Sequence, residues 1–221
     1  MDAQVEVERD EQSVAAHENG GVSRGQFLRN AAKGGLVLAT AGGVLASVEG
    51  AAFAANGKPT AGDVKTLQAA YTAESLAVYI YSAILADYHK FSKPKLKPAN
   101  RSYFEAALKD EEAHRAFLAK ALGRKTPKGL KFKIPASVVK SGESLLKTGV
   151  ALETAFVEAY LGASSTLSSA ELKLVAAKVA SNEATHFSFF DAEAGGNAVL
   201  PAVPSTNTIP NTVKKLKPFL A

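Results

Sequence analysis

The sequence contains no cysteine, and that absence excludes several kinds of site. A disulfide framework, a cysteine-based zinc site, a lipid-modified cysteine and a built-in Cys-x-x-Cys electron relay all require thiols. The absence does not by itself identify a cellular compartment.

The apolar run at 34–48 is too short to span a bilayer comfortably. The formal net charge is +5, and lysines cluster at 90–97, 120–133 and 214–217. Because these bases are not interleaved with aromatic residues on one element, no nucleic-acid partner is expected. They form either a solubilising surface or one that attracts anionic polymers of the cell envelope.

The first 54 residues have the features of an export signal. A basic heptad, Ser23 to Arg29, precedes the apolar run, and the small-residue site Ala52-Phe53-Ala54 follows it. The heptad resembles the twin-arginine export signal but has Gly25 where the second arginine should stand. We therefore predict an exported protein of the periplasm, cell envelope or medium, cleaved near 54/55. The alternative is a disordered tail followed by a core helix.

From about Thr60 onward, apolar residues recur at helical spacing in four long segments. These helices are predicted at 60–90, 99–122, 137–163 and 168–193, separated by stretches rich in proline, glycine and serine. The longest connection lies between the second and third helices. An up-down-up-down bundle would use short loops throughout, so one long crossover in that place indicates a different bundle topology.

Each helix carries a glutamate in the middle of its apolar stripe. On the first helix, Glu74 lies between Tyr71 and Val78; the other three are Glu111, Glu153 and Glu183. An ionised carboxylate in a low-dielectric core costs several kcal/mol unless it is paired. No lysine or arginine lies centrally in these stripes, so bound cations are the simplest shared counter-charge.

Two Glu-x-x-His motifs strengthen this interpretation. Glu111 with His114, and Glu183 with His186, place a carboxylate and an imidazole on one face of a helix, where both can ligate one ion. One such motif is common by chance. Two copies, each preceded by a helix with a core glutamate, indicate a repeated helical hairpin whose six groups meet at the centre of the bundle.

With these residues, the segment 60–193 resembles the ferritin-like di-metal carboxylate superfamily, and most closely the exported bacterial ferritin-like domain proteins. The resemblance implies an all-α fold, a ferritin-like four-helix bundle with a long crossover between helices two and three. The domain would occupy 55–196, after an export signal at 1–54 and before a C-terminal extension at 197–221.

The resemblance also implies roles for the six residues. Glu74 and Glu153 would each hold one metal, Glu111 and Glu183 would bridge both, and His114 and His186 would each supply a nitrogen. Oxygen-rich ligation with one nitrogen per ion suits two iron ions, or manganese.

Further residues have supporting roles in this resemblance. Related bundles carry an acid before each bridging glutamate, and it bonds to the histidine of the opposite helix. Asp110 fits that pattern, whereas Asn182 departs from it and would orient the ring more weakly. Tyr71, Tyr81 and Tyr160 are expected in the core, with hydroxyls in reach of the ligand carboxylates.

The predicted chemistry is oxidation of ferrous iron by dioxygen or peroxide, with a manganese catalase-like activity as a variant that uses the same ligands. The alternative is a non-enzymatic envelope protein, protective or metal-binding, with a weak or relic site. Metal storage is a third possibility, which would require a hollow homo-oligomer.

Overall fold

The computed structural model describes residues 59–87 and 97–221, and the predicted export signal lies outside this range. The described residues form five α-helices, with short 3-10 turns before α2, after α2 and after α5. The helices are α1 (Ala61–Ala86), α2 (Arg101–Leu122), α3 (Gly142–Thr166), α4 (Ala170–Ala194) and α5 (Ile209–Lys215). Within this part of the chain the all-α prediction is confirmed, since β structure is limited to one bridge between Phe132 and Leu220.

Three predicted helix boundaries were wrong. The first helix ends at Ala86 rather than near residue 90. The third begins at Gly142 rather than 137, because the Ser141 hydroxyl accepts a hydrogen bond from the Ser144 amide and caps it there. It also continues to Thr166 rather than ending at 163, so Gly162 lies inside the helix.

Two apolar clusters lie in the core, and each takes residues from all four long helices. The first cluster includes Leu76, Ile84, Phe104, Leu146 and Phe190. The second cluster includes Leu67, Phe117, Ala163, Val175 and Val179.

The order in which each helix meets the two clusters along the chain gives the direction of that helix. Helices α1 and α4 run from the second cluster to the first, whereas α2 and α3 run from the first to the second. Consecutive helices α2 and α3 are therefore parallel, so the chain between them must return along the whole bundle, about 33 Å for a helix of this length. Phe132 and Val138 of that connection pack against the first cluster. The predicted long crossover between helices two and three is confirmed.

The chain after α4 packs back onto the bundle through α5, which contacts α1 and α3. Helix α4 itself stops at Gly195, whose φ of 94° is left-handed. Downstream, the Asn207 amide donates to the Glu158 carbonyl over 2.9 Å. A side chain at Gly162 would place its Cβ 1.9 Å from the Asn207 carbonyl oxygen, so only glycine allows this approach. The carboxylate of Glu158 also lies 3.8 Å from the Lys215 ammonium, a second contact between α3 and the C-terminal extension.

Asp63 joins the start of α1 to the turn between α3 and α4. Its carboxylate accepts from the Thr60 amide at 2.8 Å, which completes a capping box. It also accepts from the Ser168 amide at 2.9 Å and from the Ser168 hydroxyl. Although burial alone would raise its pKa, these hydrogen bonds from Ser168 and Thr60 hold the pKa of Asp63 below its ordinary value.

We therefore expect Asp63→Ala to lower the free energy of unfolding by about 1–3 kcal/mol, because it removes a cap and leaves buried donors without an acceptor. Urea denaturation followed by circular dichroism measures the change. The matched control is Asp87→Ala, since Asp87 is an exposed acid at the other end of the same helix. Equal stability of the two variants would contradict this role for Asp63.

Candidate metal centre

A layer of ionisable side chains lies between the two apolar clusters. Its members are Glu74, Glu111, His114, Glu153, Glu183 and His186, each no more than 3% exposed. The four helices supply one glutamate each, and α2 and α4 add a histidine one turn later. The structure thus brings all six predicted residues to one place and leaves none at the surface.

Their ligand atoms form two groups, in each of which all atoms lie within 4.8 Å of one another. The first group consists of Glu74, Glu111, His114 and Glu183. The second consists of Glu111, Glu153, Glu183 and His186. Glu111 and Glu183 belong to both groups, so the two groups share a pair of carboxylates and differ in one glutamate and one histidine.

Each histidine turns Nδ1 toward this layer. His114 Nδ1 lies 3.1 Å from a Glu183 oxygen and 3.6 Å from oxygens of Glu74 and Glu111. On the other side, His186 Nδ1 lies 3.0 Å from Glu111 and 3.5 Å from Glu183. The two rings are arranged in the same way about the shared carboxylates.

Many of these buried atoms have no hydrogen-bond partner despite their proximity. They include both carboxylate oxygens of Glu111 and of Glu183, one oxygen each of Glu74 and Glu153, and Nδ1 of both histidines. Buried polar atoms are normally paired, and an unpaired one costs about 1–3 kcal/mol. Here the ligand atoms lie close together around two shared points, without aligned hydrogen bonds between them. The donor set and its geometry fit a metal ion, and these buried groups could hold one.

Two tyrosines fix the terminal glutamates across the bundle. The Tyr81 hydroxyl on α1 donates to Glu153 on α3 at 2.8 Å, and the Tyr160 hydroxyl on α3 donates to Glu74 on α1. Each tyrosine lies seven residues after the glutamate of its own helix, so the two bonds are symmetric. Tyr71, the third tyrosine expected here, lines a surface cavity with Ser75 and Arg115.

Burial sets the protonation of the terminal glutamates. Desolvation, followed by the charge of Glu111, raises the pKa of Glu74 to about 7. Desolvation and the charge of Glu183 raise the pKa of Glu153 well above its ordinary value. Near neutral pH the metal-free layer therefore retains protons on carboxylates that would be fully ionised in water.

The shared carboxylates behave in the opposite way. Burial alone would raise the pKa values of Glu111 and Glu183, but the two histidines hold both below the ordinary value. Burial likewise disfavours charged imidazoles, yet the surrounding carboxylates raise the pKa values of His114 and His186 well above the ordinary value. Protons thus supply the positive charge of the layer when no metal is bound.

Sequence reasoning missed Tyr103. Its ring stacks on Phe189 with centroids 3.5 Å apart and meets His186 edge-on at 6.2 Å, and its buried hydroxyl has no partner. Burial raises the pKa of this phenol above its ordinary value. The helical register could have found it, since residue 103 lies about three turns before His114 on the same face of α2.

Comparison with known proteins agrees with this arrangement. The model of a family described as a ferritin-like domain matches residues 62–195, which include all six residues of the layer. No curated protein matches the chain.

The pKa shifts predict how the stability of the metal-free protein depends on pH. Glu74 has a higher pKa in the folded chain, about 7, than its ordinary 4.5, so the folded state binds this proton more tightly. Stability is then lost as pH rises through that window, by roughly 1–3 kcal/mol. The raised histidine pKa values act in the same direction at higher pH.

We expect the melting temperature of the metal-free protein to fall between pH 5 and pH 8, and Glu74→Gln to reduce that fall. Differential scanning calorimetry in the presence of a chelator measures both. Glu112→Gln is the control, because Glu112 is exposed and lies next to a ligand in sequence. A melting temperature that rises over this range would contradict the assigned protonation states.

Proposed function

The chain belongs to the ferritin-like domain family, and from that premise we propose that it is a di-iron protein of the cell envelope that oxidises ferrous iron with dioxygen or peroxide. The observation that carries the proposal is the pair of overlapping ligand groups that share Glu111 and Glu183. Each ion would have one terminal glutamate, one histidine and two bridging carboxylates.

Charge supports two divalent ions. Four ionised glutamates carry four negative charges in a layer from which water is excluded, and two divalent cations neutralise them. Protons and metal ions then compete for the same atoms, so metal binding releases the protons held by Glu74, Glu153 and the histidines. The mixture of carboxylate oxygens with one nitrogen per ion suits iron or manganese better than a metal that prefers soft sulfur ligands.

Ferrous iron is the substrate and the reductant in this proposal. Two ferrous ions give up two electrons, and hydrogen peroxide takes them with two protons, which leaves two ferric ions and two waters. With dioxygen as the oxidant, the same two electrons and two protons yield hydrogen peroxide. A cysteine electron relay is not required for either reaction.

The layer has small cavities beside it that could admit an oxidant. One cavity of about 20 Å³ lies against Glu153 and Phe156, and a second of similar size lies against His114 and Val179. Both are lined mainly by apolar side chains, and each exceeds the roughly 10–15 Å³ that one water needs. Tyr81 and Tyr160 keep the terminal glutamates in place, and their hydroxyls can exchange protons with those carboxylates.

The variant Glu111→Ala tests whether the proposed di-metal site carries out the oxidation of iron. It removes a ligand from both proposed ions at once, so we expect iron oxidation to fall by more than about 100-fold. Glu112→Ala is the control, because that side chain is exposed. Oxidation is followed optically after air is admitted to anaerobic protein with ferrous ion.

The same two variants test metal binding by its effect on stability. With ferrous or manganous ion at one hundred times Kd, we expect the unsubstituted protein to gain about 2.7 kcal/mol, a shift of roughly 5–10 °C in Tm. Glu112→Ala should keep that gain and Glu111→Ala should lose most of it. If the unsubstituted protein showed neither stabilisation nor oxidation, the di-metal proposal would fail.

A second candidate is a non-enzymatic protective or metal-binding envelope protein. Complete burial of the ligands favours it, because ions in this layer would stabilise the bundle whether or not they turn over. Metal-dependent stabilisation without oxidation would support this candidate. A cage-sized particle by light scattering would instead support storage in a homo-oligomer.

The envelope location rests on the sequence of residues 1–54, with the lysine-rich surface as a possible contact for anionic envelope polymers. We expect the protein in the cell envelope or medium to begin near Ala55. N-terminal sequencing of protein recovered from those fractions measures this. An intact Met1 there would indicate an uncleaved anchor, and a purely cytoplasmic pool would refute export.

A further inference from the structure

The two histidines face the layer alike, but their outer nitrogens do not have the same surroundings. Both rings turn Nδ1 inward, so metal ligation through Nδ1 requires the ring proton to sit on Nε2. The acceptor available to that Nε2–H then decides how well the ligating form of each histidine is stabilised.

His186 has a carboxylate near that nitrogen. Its Nε2 lies 3.7 Å from Oδ2 of Asp110, a carboxylate on the opposite hairpin. A negative oxygen there attracts the Nε2 proton, keeps Nδ1 free for an ion and increases the basicity of the ring.

His114 lacks one. Its Nε2 is buried and has no hydrogen-bond partner, and the ring lines a small cavity walled by Leu67, Phe117 and Val179. To ligate an ion through Nδ1, this ring must turn its Nε2–H toward apolar side chains and not toward a carboxylate, which stabilises the ligating form less than at His186.

Asn182 increases the difference between the surroundings of the two histidines. It occupies the position before Glu183 that Asp110 occupies before Glu111. Instead of serving His114, its Nδ2 donates to Asp110 Oδ2 at 3.4 Å. The amide thereby stabilises the Asp110 carboxylate, so residues 110 and 182 both support the histidine of the same group.

We infer that the two metal positions are unequal, and that the position formed with Glu153 and His186 binds its ion first and more tightly than the position formed with Glu74 and His114. This inference rests on the proposed di-metal site. Outer partners of ligating histidines typically change metal affinity by roughly 10- to 100-fold, which is the gap we expect. Asp110 and Asn182 are positioning residues, since they act through His186.

The ligands of the two positions are matched in type, although Tyr103 also lies edge-on to His186. Each has a terminal glutamate bonded by a tyrosine from the other hairpin, and both share the same bridging carboxylates. The outer partner of the histidine is the difference that favours one position over the other.

The first experiment removes one terminal ligand at a time and uses Mn²⁺, which is stable in air-free buffer and whose free ion is counted by its EPR signal. Glu74→Ala should retain the tighter binding step of the unsubstituted protein. Its mirror variant, Glu153→Ala, should retain the weaker one. Because the two glutamates have equivalent tyrosine partners, the variants are matched in what they disturb.

The second experiment changes the outer residues in the full chain. Asp110→Asn should weaken the tighter step by roughly 10- to 100-fold and leave the weaker step nearly unchanged, a selectivity that a general loss of structure would not produce. If that variant fails to fold, Asn182→Ala tests the same contact, and should weaken the tighter step by a smaller factor. Glu112→Gln is the control and should change neither step.

The outcomes separate this inference from the proposed function. If Mn²⁺ does not bind to the unsubstituted protein, the di-metal proposal itself fails. If two ions bind with equal affinity, or if Glu153→Ala retains the tighter step, the site stands and the inequality is wrong. If the outer-residue variant that folds weakens both steps equally, the role assigned to the Asp110–Asn182 pair is wrong.

Discussion

The constraint on which the bundle depends is the burial of four carboxylates between two apolar clusters. Each of Glu74, Glu111, Glu153 and Glu183 is at most 3% exposed, in a place where an unpaired charge costs several kcal/mol. The described chain meets that constraint with the two histidines, the two tyrosines and protons on the terminal glutamates. This arrangement fixes the register of all four helices, because a shift of one residue would turn a carboxylate into an apolar cluster.

The atoms that are proposed to bind metal are therefore also atoms that destabilise the metal-free bundle. The apolar clusters stabilise the bundle on both sides of the layer, whereas the layer leaves at least eight buried ligand atoms without hydrogen bonds. Strain of this kind persists where it serves a site. A bound cation would instead link the two helical hairpins through the side chains of this layer.

The two helical hairpins contribute similar residues to the buried layer, with a difference at positions 110 and 182. The hairpins place matching tyrosines and glutamates opposite one another, as a repeated unit related by a twofold axis would. One exception is the outer pair, where Asp110 is matched by Asn182 and the two side chains bond to each other. The two histidines therefore differ in the residues next to their outer nitrogens.

The sequence by itself determined the helices, the crossover and the six inward residues, because helical periodicity and an acid within an apolar stripe are local signals. One of its errors was local, since the Ser141 cap delays the start of α3. The other was not, since Gly162 makes room for Asn207, which lies 45 residues away and does not show in the helical pattern.

Only the tertiary structure decided which ligand atoms lie close enough to share an ion, and which residues lie next to the outer nitrogen of each histidine. Tyr103 reaches His186, and Asn182 turns to Asp110 instead of His114, through contacts between helices that are distant in the chain. A sequence records which side chains share a helix face. The distances between faces depend on how all four helices pack, and the chemistry of the layer depends on those distances.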